Sequence, residues 1–178
     1  MIPLAIGATA APFSLIGVDD QTHSLADHTD KAALVVIFSC NHCPYVRAWE
    51  DRMIALQADY AARGVQFLVI SANDPAKYPD DDFPAMKQRA AEKGFNFPYL
   101  FDETQAIARA YGATRTPEVF VFDGSRTLRY HGAIDDNHEN PAAVTRPYLR
   151  EALDAILSGT QPATTQTAPV GCTIKWRS

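Results

Sequence analysis

The chain has 178 residues and a formal net charge of −5, with 47% hydrophobic and 21% charged residues. That balance fits one globular domain large enough to bury a core. It leaves no electrostatic footprint for nucleic acid or an anionic membrane, and no apolar run approaches the ~20 residues of a membrane-spanning helix.

The start, MIPLAIGATAAPF, has no basic residue before its apolar part, unlike a secretory signal. The three cysteines are too few for a disulfide scaffold, and the odd count leaves at least one thiol unpaired or exchanging. A cytoplasmic address is the default. There a close cysteine pair is more often catalytic or metal-binding than structural.

In chain order, APFSLIGVDDQTHSLAD holds two short alternating runs around an Asp-Asp turn and predicts an N-terminal hairpin. LVVIF, Leu34 to Phe38, predicts a strand buried on both faces. Val46, Trp49, Met53, Leu56 and Tyr60 then recur at spacings of three and four, one face of a helix that Gly64 terminates after Arg63. VQFLVIS, Val65 to Ser71, predicts a second buried strand, parallel to the first through a right-handed crossover.

A Pro- and Asp-rich loop, Ala72 to Pro84, leads to a short helix capped at Gly94, with Asp80, Asp81 and Asp82 at its positive end. FPYLF is a short strand, and Asp102 with Gln105 reads as a capping box for a helix that stops at Gly112. EVFVFDGSRTLRYHG predicts a β-hairpin turning at Asp123-Gly124, and Leu149, Leu153, Ile156 and Leu157 mark a last helix ending at Gly159. The expected organisation is one α/β domain over residues 1–159 and an extended tail over 160–178. In that tail, TQPATTQTAPVG is a tether and CTIKW a strand-like anchor, with Cys172, Ile174 and Trp176 on one side.

The stretch FSCNHCPYVRAW sets Cys40 and Cys43 two residues apart, where a buried strand hands over to a helix. Reactive groups in open α/β sheets sit at strand carboxyl ends, and helix N-termini stabilise thiolate. A thiol that titrates near ~8.5 falls to ~3.5–7.5 in such settings. One thiolate of a close pair attacks a disulfide and the other resolves the mixed disulfide. Cys40 is assigned the attack and Cys43 the resolution, with His42 tuning the Cys40 thiolate. Zinc competes poorly, because one CxxC supplies two ligands; a metal site would have to borrow Cys172 and one of His42, His131 or His138.

Thr116-Pro117 stands at a strand entrance, where an X–Pro bond can be cis. A cis Pro117 would leave the Thr116 backbone free to pair with an extended substrate chain beside the sulfurs.

With CNHC after LVVIF, and TPEVFVFD before a hairpin and a final helix, residues 12–158 resemble the thioredoxin superfamily. FSCNHCPYV, SANDPAKYPDD, FPYLFDETQ and the terminal GCTIKW are similar, more narrowly, to bacterial peroxiredoxin-like thioredoxin family proteins, many of them named thiol-disulfide isomerases. The resemblance implies a central mixed sheet flanked by helices, with the N-terminal hairpin, a helical insertion near residues 73–94 and a docking tail. It implies Cys40 and Cys43 as the redox-active pair, Pro117 as the cis-proline, and no bound cofactor. Protein or small-molecule disulfides are the implied partners, with an upstream thioredoxin or similar reductant.

The chain departs from thioredoxin at Ser39, where a tryptophan is usual, and at Leu34, where a buried aspartate aids proton transfer. Glu118 and Asp74 are the candidates for that relay. It departs from peroxiredoxin too. Cys43-Pro44 resembles the start of the peroxidatic segment, but Cys40 and Val36 replace its threonine and proline. A peroxidase using Cys43 is the alternative enzyme, with Arg47 and Arg115 as helpers, and a metal-binding or interaction module the alternative without turnover. Cys172 is expected either beneath the sheet as a small apolar residue or at the site as a third redox thiol. His131 and His138, with Asp135 and Asp136, read as loop polarity rather than as a hydrolase or metal cluster.

Overall fold

The computed structural model describes residues 1–178. In chain order the elements are β1 (Ser14–Gly17), β2 (Thr22–Ser24), β3 (Ala33–Ser39), α1 (Pro44–Tyr60), β4 (Val65–Ser71), α2 (Phe83–Lys93) and β5 (Tyr99–Phe101). There follow α3 (Ala106–Tyr111), β6 (Arg115–Thr116), β7 (Glu118–Asp123), β8 (Leu128–Gly132), α4 (Tyr148–Leu157) and β9 (Cys172–Thr173).

Seven strands form one mixed sheet in the order β2-β1-β5-β4-β3-β7-β8. β3 pairs parallel with β4 and antiparallel with β7, so it lies at the centre. All seven of its residues are buried. A strand flanked on both edges and covered on both faces favours apolar side chains throughout, which is why it reads as a continuous apolar run up to Ser39 at its end.

The two faces carry separate cores. Val35 and Ile37 point to one, with Trp49 and Met53 of α1 and Leu149 and Leu153 of α4. Leu34, Val36 and Phe38 point to the other, with Tyr111 of α3, Phe120, Phe122 and Ile174 of the tail. This is the thioredoxin-like fold: a central mixed sheet flanked by helices. The N-terminal hairpin extends the sheet by pairing with β5.

α1 begins with Pro44 at its first turn, where a missing N–H costs nothing. Its regular part ends at Tyr60. A short 3-10 turn follows, and Gly64 stops it at φ +81°. That glycine lets the chain reverse into β4 in a conformation that a Cβ would strain.

The helix expected to follow directly on an Asp102 cap starts instead at Ala106. Gln105 is not the third residue of a capping box. It sits at φ +63°, and Asp102 accepts from the Ala108 N–H at 2.8 Å. The Gln105 side chain points the other way and binds the tail.

Residues 160–178 run extended over the domain. His131 N–H donates to Thr165 O and its carbonyl accepts from Thr167 N–H, both at 3.0 Å, and Ile174 N–H donates to Thr114 O at 2.9 Å. β9 pairs antiparallel with β6, with Thr116 opposite Cys172 and Arg115 opposite Thr173.

Phe120 is fully buried and meets Phe38 and Tyr111 edge-on, at 5.9 and 5.5 Å between ring centres. Phe120→Ala should cost about 3–5 kcal/mol. Urea denaturation should show a lower midpoint with an unchanged slope; an unchanged midpoint would contradict this packing.

Candidate active site

The β3–α1 junction delivers two sulfurs to one residue. Cys40 follows the end of β3, and Cys43 is the N-cap residue of α1. Both are buried, at 2% and 0% exposure. Cys40 Sγ lies 3.5 Å from Thr116 Oγ1, and Cys43 Sγ lies 3.4 Å from Thr116 O. The Thr116–Pro117 peptide bond is cis. Cys172, delivered by β9 opposite Thr116, brings its Sγ to 2.8 Å from Cys43 Sγ. All three cysteines are free thiols. The expected place for Cys172 under the sheet is therefore wrong. Ile174 takes the apolar position, and Cys172 is half-buried against Cys43.

One acid faces this group, and sequence reasoning passed it over. Asp81 is fully buried. It accepts from the Asn41 N–H at 2.8 Å and from Asn73 Nδ2 at 2.8 Å, and its carboxylate meets His42 Nδ1 at 2.5 Å. The Asn41 side chain accepts from the Tyr99 hydroxyl at 2.7 Å. Desolvation in full burial keeps that phenol protonated, with its pKa well above the ordinary value. The local signal was the run of three aspartates before α2. Asp82 alone caps the helix, accepting from Ala85 N–H at 2.7 Å, which leaves Asp81 free to turn inward.

His42 does not serve Cys40 as expected. Its ring turns to the Asp81 carboxylate and stacks on Tyr78 with an interplanar angle of 4°. Cys40, His42 and Asp81 do present three donor atoms within 4.8 Å of one another. A Cys-His-Asp set is chemically able to hold a divalent metal. It does not include Cys172, His131 or His138.

The relay candidates lie elsewhere. Glu118 is buried, but its oxygens are occupied by His131 Nε2 at 2.6 Å and by the Thr114 and Arg115 N–H groups at 2.8 and 2.9 Å. It fixes the turn ahead of Thr116 and is not hydrogen-bonded to a sulfur. Asp74 closes its own turn by accepting from Ala76 N–H at 3.1 Å. The HGAIDDNHEN cluster is dispersed. Asp135 pairs with Arg52 at 2.7 Å and with Trp49, while His138 packs on Tyr45 and Trp49. Arg47 donates to Asn41 O, and Arg115 donates to Gly171 O on the tail.

The thiols divide the charge unequally. The Cys40 thiol is pushed far up by its bond to Cys43, by burial and by the Asp81 charge. Cys43 is pulled down to about 4, foremost by the bond from Cys40, and against burial by Cys172 and the Val46 N–H. Burial and the Cys43 thiolate push Cys172 up to about 11. These opposite shifts favour a single thiolate at the pair, on the Cys43 side.

A thioredoxin-like domain with a dithiol at the first strand-to-helix junction is the class that this fold and site define. The chain belongs to the AhpC/TSA family, whose pattern matches residues 6–131. It is 41% identical to an uncharacterized conserved protein from Geobacillus kaustophilus, with a TM-score of 0.92 over 97% of this chain and 93% of that one. A thiol:disulfide interchange protein of the thioredoxin family from Chlorobium tepidum TLS is 26% identical, with a TM-score of 0.61 over 71% of this chain and 86% of that one. The thiol-disulfide oxidoreductase ResA of Geobacillus thermodenitrificans is 25% identical over 122 residues, 67% of this chain. The match spans 64% of that relative's own length.

Two outcomes follow from the charge distribution. Asp81→Asn removes the negative charge that opposes Cys40 ionisation. Cys40 should then react several-fold faster with iodoacetamide at pH 8, as read by peptide mass spectrometry; an unchanged or slower rate would contradict the assignment. The native Cys43 loses its proton near pH 4, whereas an unfolded thiol keeps it to ~8.5. Between those values the unfolded chain binds more protons, so the reduced protein gains stability as pH rises and loses it as pH falls through about 4. The stability difference between wild type and Cys43→Ala should widen from pH 4 to pH 8. A difference that stays flat would refute the low value.

Proposed function

We propose that the protein is an oxidoreductase that exchanges disulfides with protein or small-molecule substrates through Cys40 and Cys43. The observation that carries this reading is the convergence of both sulfurs on Thr116, within 3.5 Å of its hydroxyl and carbonyl. Family membership and the thiol-disulfide oxidoreductase relatives support it.

The pair starts with one proton between two sulfurs. Cys40 passes that proton to the Cys43 thiolate and attacks one sulfur of the substrate disulfide. The other substrate sulfur leaves and takes the proton back from Cys43. Cys43 then attacks Cys40 in the mixed disulfide and releases the second substrate thiolate, which is protonated from solvent. Two electrons pass to the substrate, and the chain ends with a Cys40–Cys43 disulfide.

The low value at Cys43 suits the second attack. It leaves Cys43 ionised for the resolving step, and Cys40 becomes nucleophilic only as its proton moves to Cys43. Thr116, with Pro117 beside it, is the backbone on which an extended substrate chain would pair once the tail strand that occupies it gives way. No bound cofactor is required, because the disulfide is the redox centre. In a cytoplasmic setting the working direction is reduction, and an upstream thioredoxin or similar reductant restores the dithiol.

Insulin-disulfide reduction and peroxide consumption on wild type and both single variants test the reading. Cys40→Ser should bring insulin reduction to the uncatalysed rate, and Cys43→Ser should accumulate mixed disulfides through Cys40. Peroxide consumption that depends on Cys43 more than on Cys40 would replace this reading with a thiol peroxidase. Stoichiometric zinc without turnover would replace it with a metal-binding module at Cys40, His42 and Asp81.

A further inference from the structure

We propose that the C-terminal tail is a built-in substrate strand and that Cys172 is a third redox-active thiol, which exchanges into a Cys43–Cys172 disulfide. The inference rests on the dithiol reading and goes beyond it, since nothing in disulfide exchange by Cys40 and Cys43 requires a tail.

The tail occupies the edge that an incoming chain would use. β9 forms an antiparallel ladder with β6, and Cys172 stands directly opposite Thr116. That register carries its sulfur to 2.8 Å from Cys43 Sγ, well inside the contact distance of two unbonded sulfurs. The approach needs a glycine beside it. A Cβ on Gly171 would lie 2.0 Å from Thr116 O, closer than side chains come to a backbone oxygen, and 3.1 Å from Pro117 N. Arg115 fixes the same point by donating to Gly171 O at 3.0 Å.

Beyond Cys172 the tail is held by buried polar groups of the domain. Gln105 donates to Lys175 O at 2.9 Å and accepts from Arg177 N–H at 3.0 Å. Asn73 accepts from Lys175 N–H at 2.9 Å, and Asp74 N–H donates to Lys175 O at 2.8 Å. Ile174 is buried in the core, and Trp176 lies under the Arg109 guanidinium at 4.7 Å. These contacts grip residues 174–177 and aim Cys172 at Cys43. A tail needed only to cover the sheet would place an apolar side chain at 172.

The exchange needs no further oxidant once the dithiol has reduced a substrate. Cys172 loses its proton and attacks Cys43 Sγ of the Cys40–Cys43 disulfide. The Cys43–Cys172 bond forms and the Cys40–Cys43 bond breaks. Cys40 leaves as the thiolate and takes up the proton. One disulfide and one thiol are present before and after, so no electrons enter or leave the three sulfurs. The product ties the tail across Thr116, so the edge is closed to a protein chain until a reductant opens the bond.

The test is disulfide mapping of the full chain. Reduced wild type, Cys40→Ser, Cys172→Ser and Gly171→Val are each treated with oxidised glutathione, trapped with N-ethylmaleimide in acid, digested and analysed by mass spectrometry. Wild type should yield a Cys43–Cys172 bridge with Cys40 alkylated, beside the Cys40–Cys43 bridge. Cys40→Ser should yield the Cys43–Cys172 bridge alone, and Cys172→Ser only Cys40–Cys43. Gly171→Val lifts the tail without touching a sulfur. It should raise Cys172 alkylation in the reduced protein several-fold and lose the Cys43–Cys172 bridge while keeping Cys40–Cys43. Cys172 fully alkylated in every oxidised sample, with Cys40–Cys43 as the only bridge, overturns the inference and leaves the dithiol reading standing. No intramolecular bridge of either kind overturns both.

Discussion

Everything at the site depends on where the Thr116 backbone lies. Its carbonyl faces Cys43 and its hydroxyl faces Cys40, while its ladder edge is paired to the tail. Glu118, buried with His131, holds the turn before it through two N–H groups. The central strand β3 sets the other side. Because β7 pairs with β3 in register, with Phe38 opposite Glu118, the end of β3 and the start of β7 arrive together. Sulfur positions are thus a consequence of sheet register, and the register is fixed by apolar burial on both faces.

Charge follows from that geometry. Two buried thiols in contact cannot both ionise, so one thiolate is shared. Asp81 stands on the Cys40 side, and the helix N-terminus with its Val46 N–H stands on the Cys43 side. The negative charge therefore moves toward the N-cap of α1. His42, the residue between the cysteines, turns its ring to Asp81.

Much of the frame was legible from local pattern. The run from Leu34 to Phe38 could only be a strand covered on both faces, and the three-and-four spacing from Val46 to Tyr60 could only be one face of a helix. Together they place Cys40 and Cys43 at a junction. The rest is long-range. Asp81 is 40 residues from the Asn41 N–H that it binds, and nothing local says which of three aspartates turns inward. Gln105 looked like a cap because a glutamine three residues after an aspartate fits that pattern; its partners are 70 and 72 residues away on the tail. The alternation in CTIKW correctly marks one face for Cys172, Ile174 and Trp176, but that face meets two surfaces. Ile174 reaches the core and Cys172 reaches Cys43, 129 residues away.

The central claim is that Cys40 and Cys43 form a redox couple. The direct measurement is the free-thiol content of the protein equilibrated across glutathione buffers of increasing oxidation. The account predicts one reversible two-electron transition in which two of the three thiols disappear together. Three thiols that stay free across the whole range would contradict it.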